Sequence, residues 1–450
     1  MRKLAVKAGA LAIVGALIFA ACGKSNDNKK ASKSAKKAAA VKTDFGATDT
    51  KIRVGLLADL SGPFSTLVRD IVLAQQVYWD RLNKAGGIAG RQVELDIEDT
   101  KYDVPTHKQK FAAMAAKDAS GVLMISQSTG SPHTASIAKD LEADNLIAIP
   151  LTWYSGWADP AFGKNVFEAY TNYCLEGMNV TQFIKDQGGK KIALVTFPGE
   201  YGQDGAAGVK QAAKALGLQI AYDGEGKVIP PSATNPNPDV SAIVQSIVSS
   251  RADWVYASVN PTTLARLMGG AAGKGFKGKW TGASPSYADT LLKSDVKNLI
   301  DTSWYQSQYT VAFGTNVSGM STMVDALKTD KPDARTSDAY VYGWTEAEIA
   351  EAILKKAAGD GDITRAGVVK AAFELDKVDF GGLAPSQSWK GEPNSYIVRE
   401  SYMFKPKLSL YKDASLSGGG STGLELIKGP FESDLAKNYD YKGPCFKPAA

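Results

Sequence analysis

Hydrophobic and polar residues follow one another in the pattern of a parallel α/β protein. Residues 52–58 form a nearly continuous apolar run, which is typical of a strand buried on both faces of a parallel sheet. Apolar residues then recur at three- and four-residue steps over residues 68–82, which predicts an amphipathic helix. A Gly86-Gly87 pair ends the helical pattern, and residues 91–98 alternate like a second strand. This order predicts a βαβ unit whose loops at the C-terminal ends of the strands face a ligand crevice.

The alternation of helix and strand patterns continues in two consecutive series. The first series runs to about residue 150, and the second begins near Tyr170 and runs to about residue 282. No repeat of solenoid length is present, so the pattern predicts an α/β fold with two doubly wound, Rossmann-like lobes. Residues 316–328, 337–358 and 364–375 read as further helices.

The first 50 residues differ in composition from the rest. Residues 1–21 have a charged start and an apolar run, which predicts a secretory signal peptide. The sequence Phe-Ala-Ala-Cys-Gly around Cys22 resembles a bacterial lipobox, in which Cys22 becomes lipidated; the alternative is an ordinary signal peptide with an incidental cysteine. Residues 22–50 are rich in Lys, Ser and Ala, which indicates a lipidated, disordered tether.

Charge and composition exclude several classes of function. The formal net charge is +5, but the positive excess lies in the leader and the tether, which argues against nucleic acid as a partner. Two His and three Cys residues offer no zinc-ribbon or His-rich spacing. We therefore expect no metal and no cofactor, and the absence of the common catalytic motifs argues against an enzyme.

Three stretches of the first unit carry a resemblance to a known family. They are SGP after the first strand, LNKAGGIAGRQVEL after the first helix, and Asp99 at the end of the second strand. These features resemble type I periplasmic solute-binding proteins, and among them the leucine/isoleucine/valine-binding receptors of ABC importers. The resemblance runs from about residue 52 to about residue 404. It implies the type I periplasmic binding protein fold, in which several crossovers form a hinge between two lobes.

The resemblance also implies domain boundaries. Lobe one would comprise residues 51–170 and 303–393, and lobe two residues 171–302 and 394–412. The chain would return to lobe one around residues 302–308, and residues 413–450 would form an irregular or partly disordered tail.

Candidate ligand-binding residues lie in the loops that should face the crevice. Hydroxyl groups in residues 126–130 would form a polar cradle at the start of a helix, although N-capping alone would also explain them. Three aromatic residues among residues 153–157 suit stacking on a flat solute, or else pack the hinge. The family places a closing tyrosine at Tyr201, with Tyr173 as a secondary candidate. The full predicted set is Ser128, Thr129, Thr152, Trp153, Tyr154, Tyr173, Tyr201 and Ser284.

One expected group is missing. Amino-acid-binding relatives carry an acid in lobe two that pairs with the ammonium group, but residues 281–286 contain no carboxylate. A buried ammonium without a partner costs several kcal/mol. An α-amino acid ligand would therefore need Glu176, Glu200 or Asp289 as a substitute, and a carboxylated or aromatic solute that is weakly cationic or neutral is favoured over it, although an amino-acid-like solute stays in the predicted class.

The reading that follows is a monomeric, lipid-anchored extracytoplasmic receptor that passes a small solute to ABC permease subunits. A sensory or partner-presenting lipoprotein of the same fold is the alternative, and an exported enzyme is a more distant one. Cys174 and Cys445 either form a disulfide, as an exported chain allows, or remain free thiols.

Overall fold

The computed structural model describes residues 41–448. Its strands, in chain order, are β1 (Lys42–Thr43), β2 (Lys51–Ala58), β3 (Gln92–Asp99), β4 (Met124–Thr129), β5 (Ala148–Leu151), β6 (Lys191–Thr196), β7 (Gln219–Gly224), β8 (Trp254–Ser258), β9 (Lys279–Gly282), β10 (Trp304–Gln308), β11 (Asp362–Ile363), β12 (Ser401–Lys412) and β13 (Ser421–Phe431).

The α-helices are α1 (Ser65–Lys84), α2 (Val104–Met114), α3 (Ser131–Ala143), α4 (Pro160–Gly163), α5 (Tyr173–Asp186), α6 (Gly199–Leu216), α7 (Ser241–Ser250), α8 (Pro261–Gly273), α9 (Lys297–Ser303), α10 (Ser318–Asp330), α11 (Ala339–Gly359), α12 (Arg365–Phe373), α13 (Pro393–Tyr396) and α14 (Asp434–Lys437). Short 3₁₀ helices cover Ser155–Ala158, Ser284–Ser286 and Asp289–Lys293.

Lobe one is built on a four-stranded parallel sheet in the order β3-β2-β4-β5. Its central strand β2 is the apolar run predicted above, and Leu56, Leu57 and Ala58 are fully buried because helices cover both faces. Helix α1 turns its apolar stripe inward and packs against α11, the longest helix described. The predicted βαβ unit is therefore present, and its loops open at the C-terminal edge of the sheet.

Lobe two is built on a seven-stranded mixed sheet in the order β13-β12-β10-β9-β8-β6-β7. Strands β6 to β10 run parallel, whereas β12 is antiparallel to β10 and β13 is antiparallel to β12. The chain passes between the lobes after β5, after β10 and before β12, which gives the multi-crossover hinge.

Two features of lobe two correct the sequence reading. Residues 304–308 do not cross to lobe one but form β10 beside β9, because Trp304 is fully buried in this sheet; the crossing comes after Gln308. Part of the expected irregular tail is the strand β13, which pairs with β12 over its length. Its Gly- and Ser-rich start resembles a linker, but antiparallel pairing with the preceding strand β12 satisfies its backbone groups.

The end of the predicted tether also needs correction. Strand β1 pairs with β11, and the Asp44 carboxylate accepts a hydrogen bond from the Arg365 backbone N–H at 2.9 Å. Residues 41–50 are therefore part of lobe one. This segment has few large apolar side chains, and hydrogen bonds with backbone groups of lobe one hold it in place. The predicted signal peptide, the lipidation of Cys22 and the rest of the tether lie outside the described residues.

The C-terminal segment is fastened across the hinge. Cys174 at the start of α5 and Cys445 are joined by a disulfide. The Cys445 N–H donates to the Ser155 hydroxyl at 2.9 Å, and the Tyr154 hydroxyl donates to the carbonyl of Phe446 at 2.6 Å. The segment thus links lobe two to the loop that leaves lobe one. Within residues 41–448, no helix is both long and apolar enough to cross a bilayer.

Candidate functional site

A cleft lies between the two lobes, at the C-terminal ends of their strands. Its empty volume is about 730 Å³, part of which is open to solvent. A direct contact joins the lobes, in which the Asn260 side chain of lobe two donates to the Pro63 carbonyl of lobe one at 3.0 Å. The lobes are therefore closed on one another, the arrangement in which a two-lobed receptor encloses its solute.

One wall of the cleft is apolar. The first two turns of α1, with its N-cap, contribute Phe64, Leu67, Val68 and Ile71, and the loop after β5 contributes Trp153. The Trp153 ring packs among several tyrosines, with its centroid 4.8 Å from that of Tyr309. This surface suits a hydrocarbon or aromatic body rather than a hydrated polar one.

Hydroxyl groups gather at the N-terminus of α3. The Ser131 and Thr152 hydroxyls are hydrogen-bonded to each other, and the Tyr173 hydroxyl lies 3.4 Å from that of Thr152. The first N–H groups of a helix have no intrahelical partners and carry partial positive charge, so this end can hold a carboxylate. Gly130, which precedes the helix with a φ of +97°, cannot be replaced easily because a Cβ would meet the side chain of His133. We refer to Ser131, Thr152 and Tyr173 as the hydroxyl end.

Tyr201 lines the cleft, but its hydroxyl is already engaged. It donates to the Val259 carbonyl at 2.9 Å and lies 3.1 Å from the Ser286 hydroxyl. Its ring stands at the hydroxyl end, 5.0 Å from the Tyr173 ring and 5.9 Å from the Phe64 ring. Tyr201 therefore presents an aromatic face to the cleft.

Six of the eight predicted residues line the cleft: Thr129, Thr152, Trp153, Tyr173, Tyr201 and Ser284. The other two do not. Ser128 is a buried residue of β4, and its hydroxyl bonds that of Thr134 at 2.8 Å, because the strand continues through residues read from sequence as a loop. Tyr154 packs beneath lobe one against Trp157 and reaches the C-terminal segment with its hydroxyl. Their binding role is therefore not supported.

The three acids considered as ammonium partners are placed differently. Glu176 lies outside the cleft lining and accepts hydrogen bonds from the Ser284 N–H at 2.9 Å and the Tyr309 hydroxyl at 2.5 Å. Burial raises the pKa of Glu176 to about 7. Glu200 also lies outside the lining. Asp289 does line the cleft, but the Arg335 guanidinium pairs with it at 2.7 Å.

Asp289 belongs to a group of charges around Asp70, which lies in the second turn of α1. Arg335 lies between Asp289 of lobe two and Asp70 of α1, so one cation bridges the two lobes. Asp338, one turn further along the chain, lines the cleft as well; its Oδ1 accepts from the Phe313 N–H at 2.8 Å. We refer to Asp289, Asp338 and Tyr287 as the acid end.

The predicted set of ligand-binding residues omits several lining residues: Ser131 and Tyr287, which lie in loops expected to face the crevice, and Gln306, Gln308, Asp338 and Tyr342. Pro132 is a signal that points to Ser131, because proline favours the first turn of a helix and so places the helix start at that serine. Gln306 and Gln308 alternate along β10 and share one face. Asp338 and Tyr342 carry no local signal, since the contact between α11 and the cleft is tertiary.

The two histidines are buried close together in lobe one. His107 and His133 lie beneath the cleft floor, with ring centroids 5.5 Å apart. Burial lowers the pKa of His107 to about 3 and that of His133 to about 4, so both are neutral at physiological pH. Among residues 41–448, no group of three or more His, Cys, Asp or Glu side chains is placed to hold a metal ion.

Comparison with known proteins agrees with this architecture. A fatty acid ABC transporter substrate-binding protein from Thermomonospora curvata superposes with a TM-score of 0.78 at 26% identity, covering 89% of this chain and 97% of that one. A branched-chain amino acid ABC transporter protein from Thermus thermophilus with bound valine gives a TM-score of 0.70 at 17% identity, covering 86% of this chain and 98% of that one. These neighbours confirm the predicted type I periplasmic binding protein fold.

Curated sequence relatives match a shorter part of the chain. The Leu/Ile/Val-binding protein homolog 3 of Brucella melitensis is 26% identical over 210 residues, which make up 46% of this chain and 53% of that protein. The chain thus spans about half the length of the curated relatives it matches. A family model described as periplasmic binding protein matches residues 51–407. Since this match covers most of the chain and agrees with the two-lobed fold, the chain belongs to the periplasmic binding protein family.

Proposed function

We propose that the protein is the extracytoplasmic solute-binding component of an ABC importer. It captures a small solute between its lobes and delivers it to membrane permease subunits. The observation that carries the proposal is the closed cleft lined by both lobes, in a chain whose family match spans residues 51–407. Ligand contacts to both lobes stabilise the closed form, which gives a permease a signal that solute is bound.

The proposed solute carries a carboxylate and an apolar or aromatic body. The hydroxyl end and the N-terminus of α3 receive the carboxylate, and the apolar wall of α1 receives the body. The name of the Thermomonospora curvata protein, a fatty acid receptor, is consistent with this chemistry. An α-amino acid fits the cleft less well, because its ammonium group needs a carboxylate partner. Of the three candidate acids only Asp289 lines the cleft, and its charge is neutralised by Arg335.

The proposal includes a membrane anchor and excludes a catalytic step. Lipidation of Cys22 attaches the protein to the outer face of a membrane, and the segment between Cys22 and β1 spaces the lobes from it. The receptor acts as a monomer without nucleic acid. A Cys22→Ser variant should appear in the soluble extracytoplasmic fraction, whereas the unaltered chain should sediment with membranes.

Titration calorimetry tests the binding proposal with two matched variants. We expect straight-chain and aromatic carboxylates to bind more tightly than leucine. Tyr173→Phe removes a hydroxyl of the cleft and should weaken carboxylate binding about tenfold, the equivalent of about 1.4 kcal/mol. Tyr154→Phe removes a hydroxyl outside the cleft and should leave affinity unchanged. The proposal is wrong if no carboxylate binds or if both variants behave alike.

A further inference from the structure

Two buried polar atoms at the acid end lack a partner among residues 41–448. The Asp338 side chain bonds the Phe313 N–H and the Thr422 hydroxyl through Oδ1, but its Oδ2 contacts no donor. The hydroxyl of Tyr287 is also unpaired. Asp338 is 7% exposed and Tyr287 is 3% exposed, and both line the cleft. Buried polar groups in native proteins are generally satisfied, so these atoms mark where a ligand atom belongs.

The charges around these atoms are unbalanced. One cation, Arg335, faces the carboxylates of Asp70 and Asp289, and Asp338 adds a third acid. Burial raises the pKa of Asp338 to about 7, and the nearby Asp289 carboxylate adds to the shift. The same two acids help to raise the pKa of Tyr287, after burial. A group that donates hydrogen bonds, with or without positive charge, is therefore the complement of this end.

The acid end is separated from the hydroxyl end by the length of the apolar wall. Phe64, at the N-terminus of α1, lies with its ring 4.9 Å from that of Tyr102 near the hydroxyl end, whereas Asp70 contacts Arg335. Ile71, the last residue of α1 that lines the cleft, is seven positions after Phe64, and this corresponds to a rise of about 10 Å along the helix axis. The cleft is thus an apolar slot with a different polar group at each end.

We propose that the solute carries a hydrogen-bond donor, a hydroxyl or an ammonium group, at the end opposite its carboxylate, and that Asp338 and Tyr287 receive this donor. This inference rests on the proposed function and narrows its solute class. A donor on the carbon next to the carboxylate, as in an α-amino acid, stays beside the hydroxyl end and leaves the unpaired atoms of Asp338 and Tyr287 without a partner. The favoured class is therefore an ω-hydroxy or ω-amino carboxylic acid.

The test uses the purified full chain and a series of probes. Hexanoate, octanoate and decanoate are each titrated beside their ω-hydroxy and ω-amino forms, with leucine as the α-amino control. We expect at least one ω-substituted acid to bind with an affinity at least about tenfold higher than that of the plain acid of the same length. Asp338→Asn and Tyr287→Phe should each reduce this advantage, measured in the same variant as the ratio of the affinities for the ω-substituted and the plain acid.

A matched control and the possible outcomes keep the two proposals distinct. Asp204→Asn alters another buried acid that lies outside the cleft lining and should preserve the advantage. If plain acids bind as tightly as their ω-substituted forms, this inference is wrong and the proposed function stands. If no acid binds, both fail. Circular dichroism shows whether each variant folds. If either Asp338→Asn or Tyr287→Phe does not fold, the inference is tested with the other variant.

Discussion

The guanidinium group of Arg335 joins two carboxylates from different lobes, so Arg335→Met removes the cation and keeps most of the apolar stem. Asp70 belongs to α1 of lobe one, and Asp289 follows β9 of lobe two. Their side chains are 12% and 3% exposed, and the Arg335 side chain is 29% exposed. After the substitution, both acids remain buried without their counter-ion.

The magnitude follows from this burial. Breaking a buried ion pair by removing one partner typically costs 3–5 kcal/mol, because the remaining charge is not compensated. Since Arg335 is partly exposed, the lower value applies, and we expect a loss of about 3 kcal/mol in the free energy of unfolding at pH 7. Lys390→Met is a suitable control, because Lys390 and Asp376 form an exposed pair, with side chains 54% and 85% exposed, and such pairs contribute about 1 kcal/mol or less.

The loss should depend on pH in a defined direction. Burial raises the pKa of Asp289 to about 6 and also raises that of Asp70, even with Arg335 present, so removal of the cation raises both further. A carboxyl whose folded pKa lies above its unfolded value destabilises the protein as the pH rises through the folded pKa. The difference in the free energy of unfolding between the Arg335→Met variant and the parent should therefore be large at pH 7 and small at pH 4.5.

Urea unfolding at the two pH values, followed by circular dichroism, provides the measurement. Adding Asp70→Asn and Asp289→Asn to the Arg335→Met variant should recover part of the loss, because no unpaired charge is left. An equal loss at both pH values, or a loss no larger than that of Lys390→Met, would refute the assignment of Arg335 as the cation that holds these acids.

Three further predictions concern the rest of the chain. Replacing Cys174 and Cys445 together by serine opens a loop of 271 residues and should lower the free energy of unfolding by up to about 5–6 kcal/mol on chain entropy, measured by urea unfolding. Arg365→Lys should cost about 3 kcal/mol, because the guanidinium donates to four backbone carbonyls that a lysine cannot all reach; retained stability would contradict this. Burial raises the pKa of Glu168 to about 8 and that of Asp204 to about 7, so the folded state holds more protons than the unfolded state, and the free energy of unfolding should decrease as pH rises from about 5 to about 8.

Where sequence and structure disagree, long-range contacts overrode a local signal. Residues 126–129 are polar, a composition that predicts a loop, yet they complete β4. The Ser126 hydroxyl donates to Gln75 of α1 at 3.0 Å, and the Gln75 amide in turn donates to Gln127 at 3.0 Å. A buried strand can carry polar side chains when a neighbouring helix supplies their partners, and such partners are not visible in a short window of sequence.

The pairing of β12 with β13 shows a different limit, because these strands are neighbours in the chain and composition alone conceals their pairing. The Gly- and Ser-rich stretch before β13 indicates flexibility by composition, but β13 finds its hydrogen-bonding partners in β12. The disulfide between Cys174 and Cys445, one of two alternatives left open by the sequence, likewise depends on the folding of α5 beside the C-terminal segment.

The sequence by itself determined the α/β alternation, the two lobes and most of the loops that meet at the cleft, because these follow from the periodicity of apolar residues and from turn residues nearby in the chain. Only the tertiary structure decided which side chains face the solute. Arg335 joins Asp289 of the acid end to Asp70, from which it is separated by 265 positions in the chain. Such a cluster combines residues from both lobes, so its charge balance is a property of the assembled cleft.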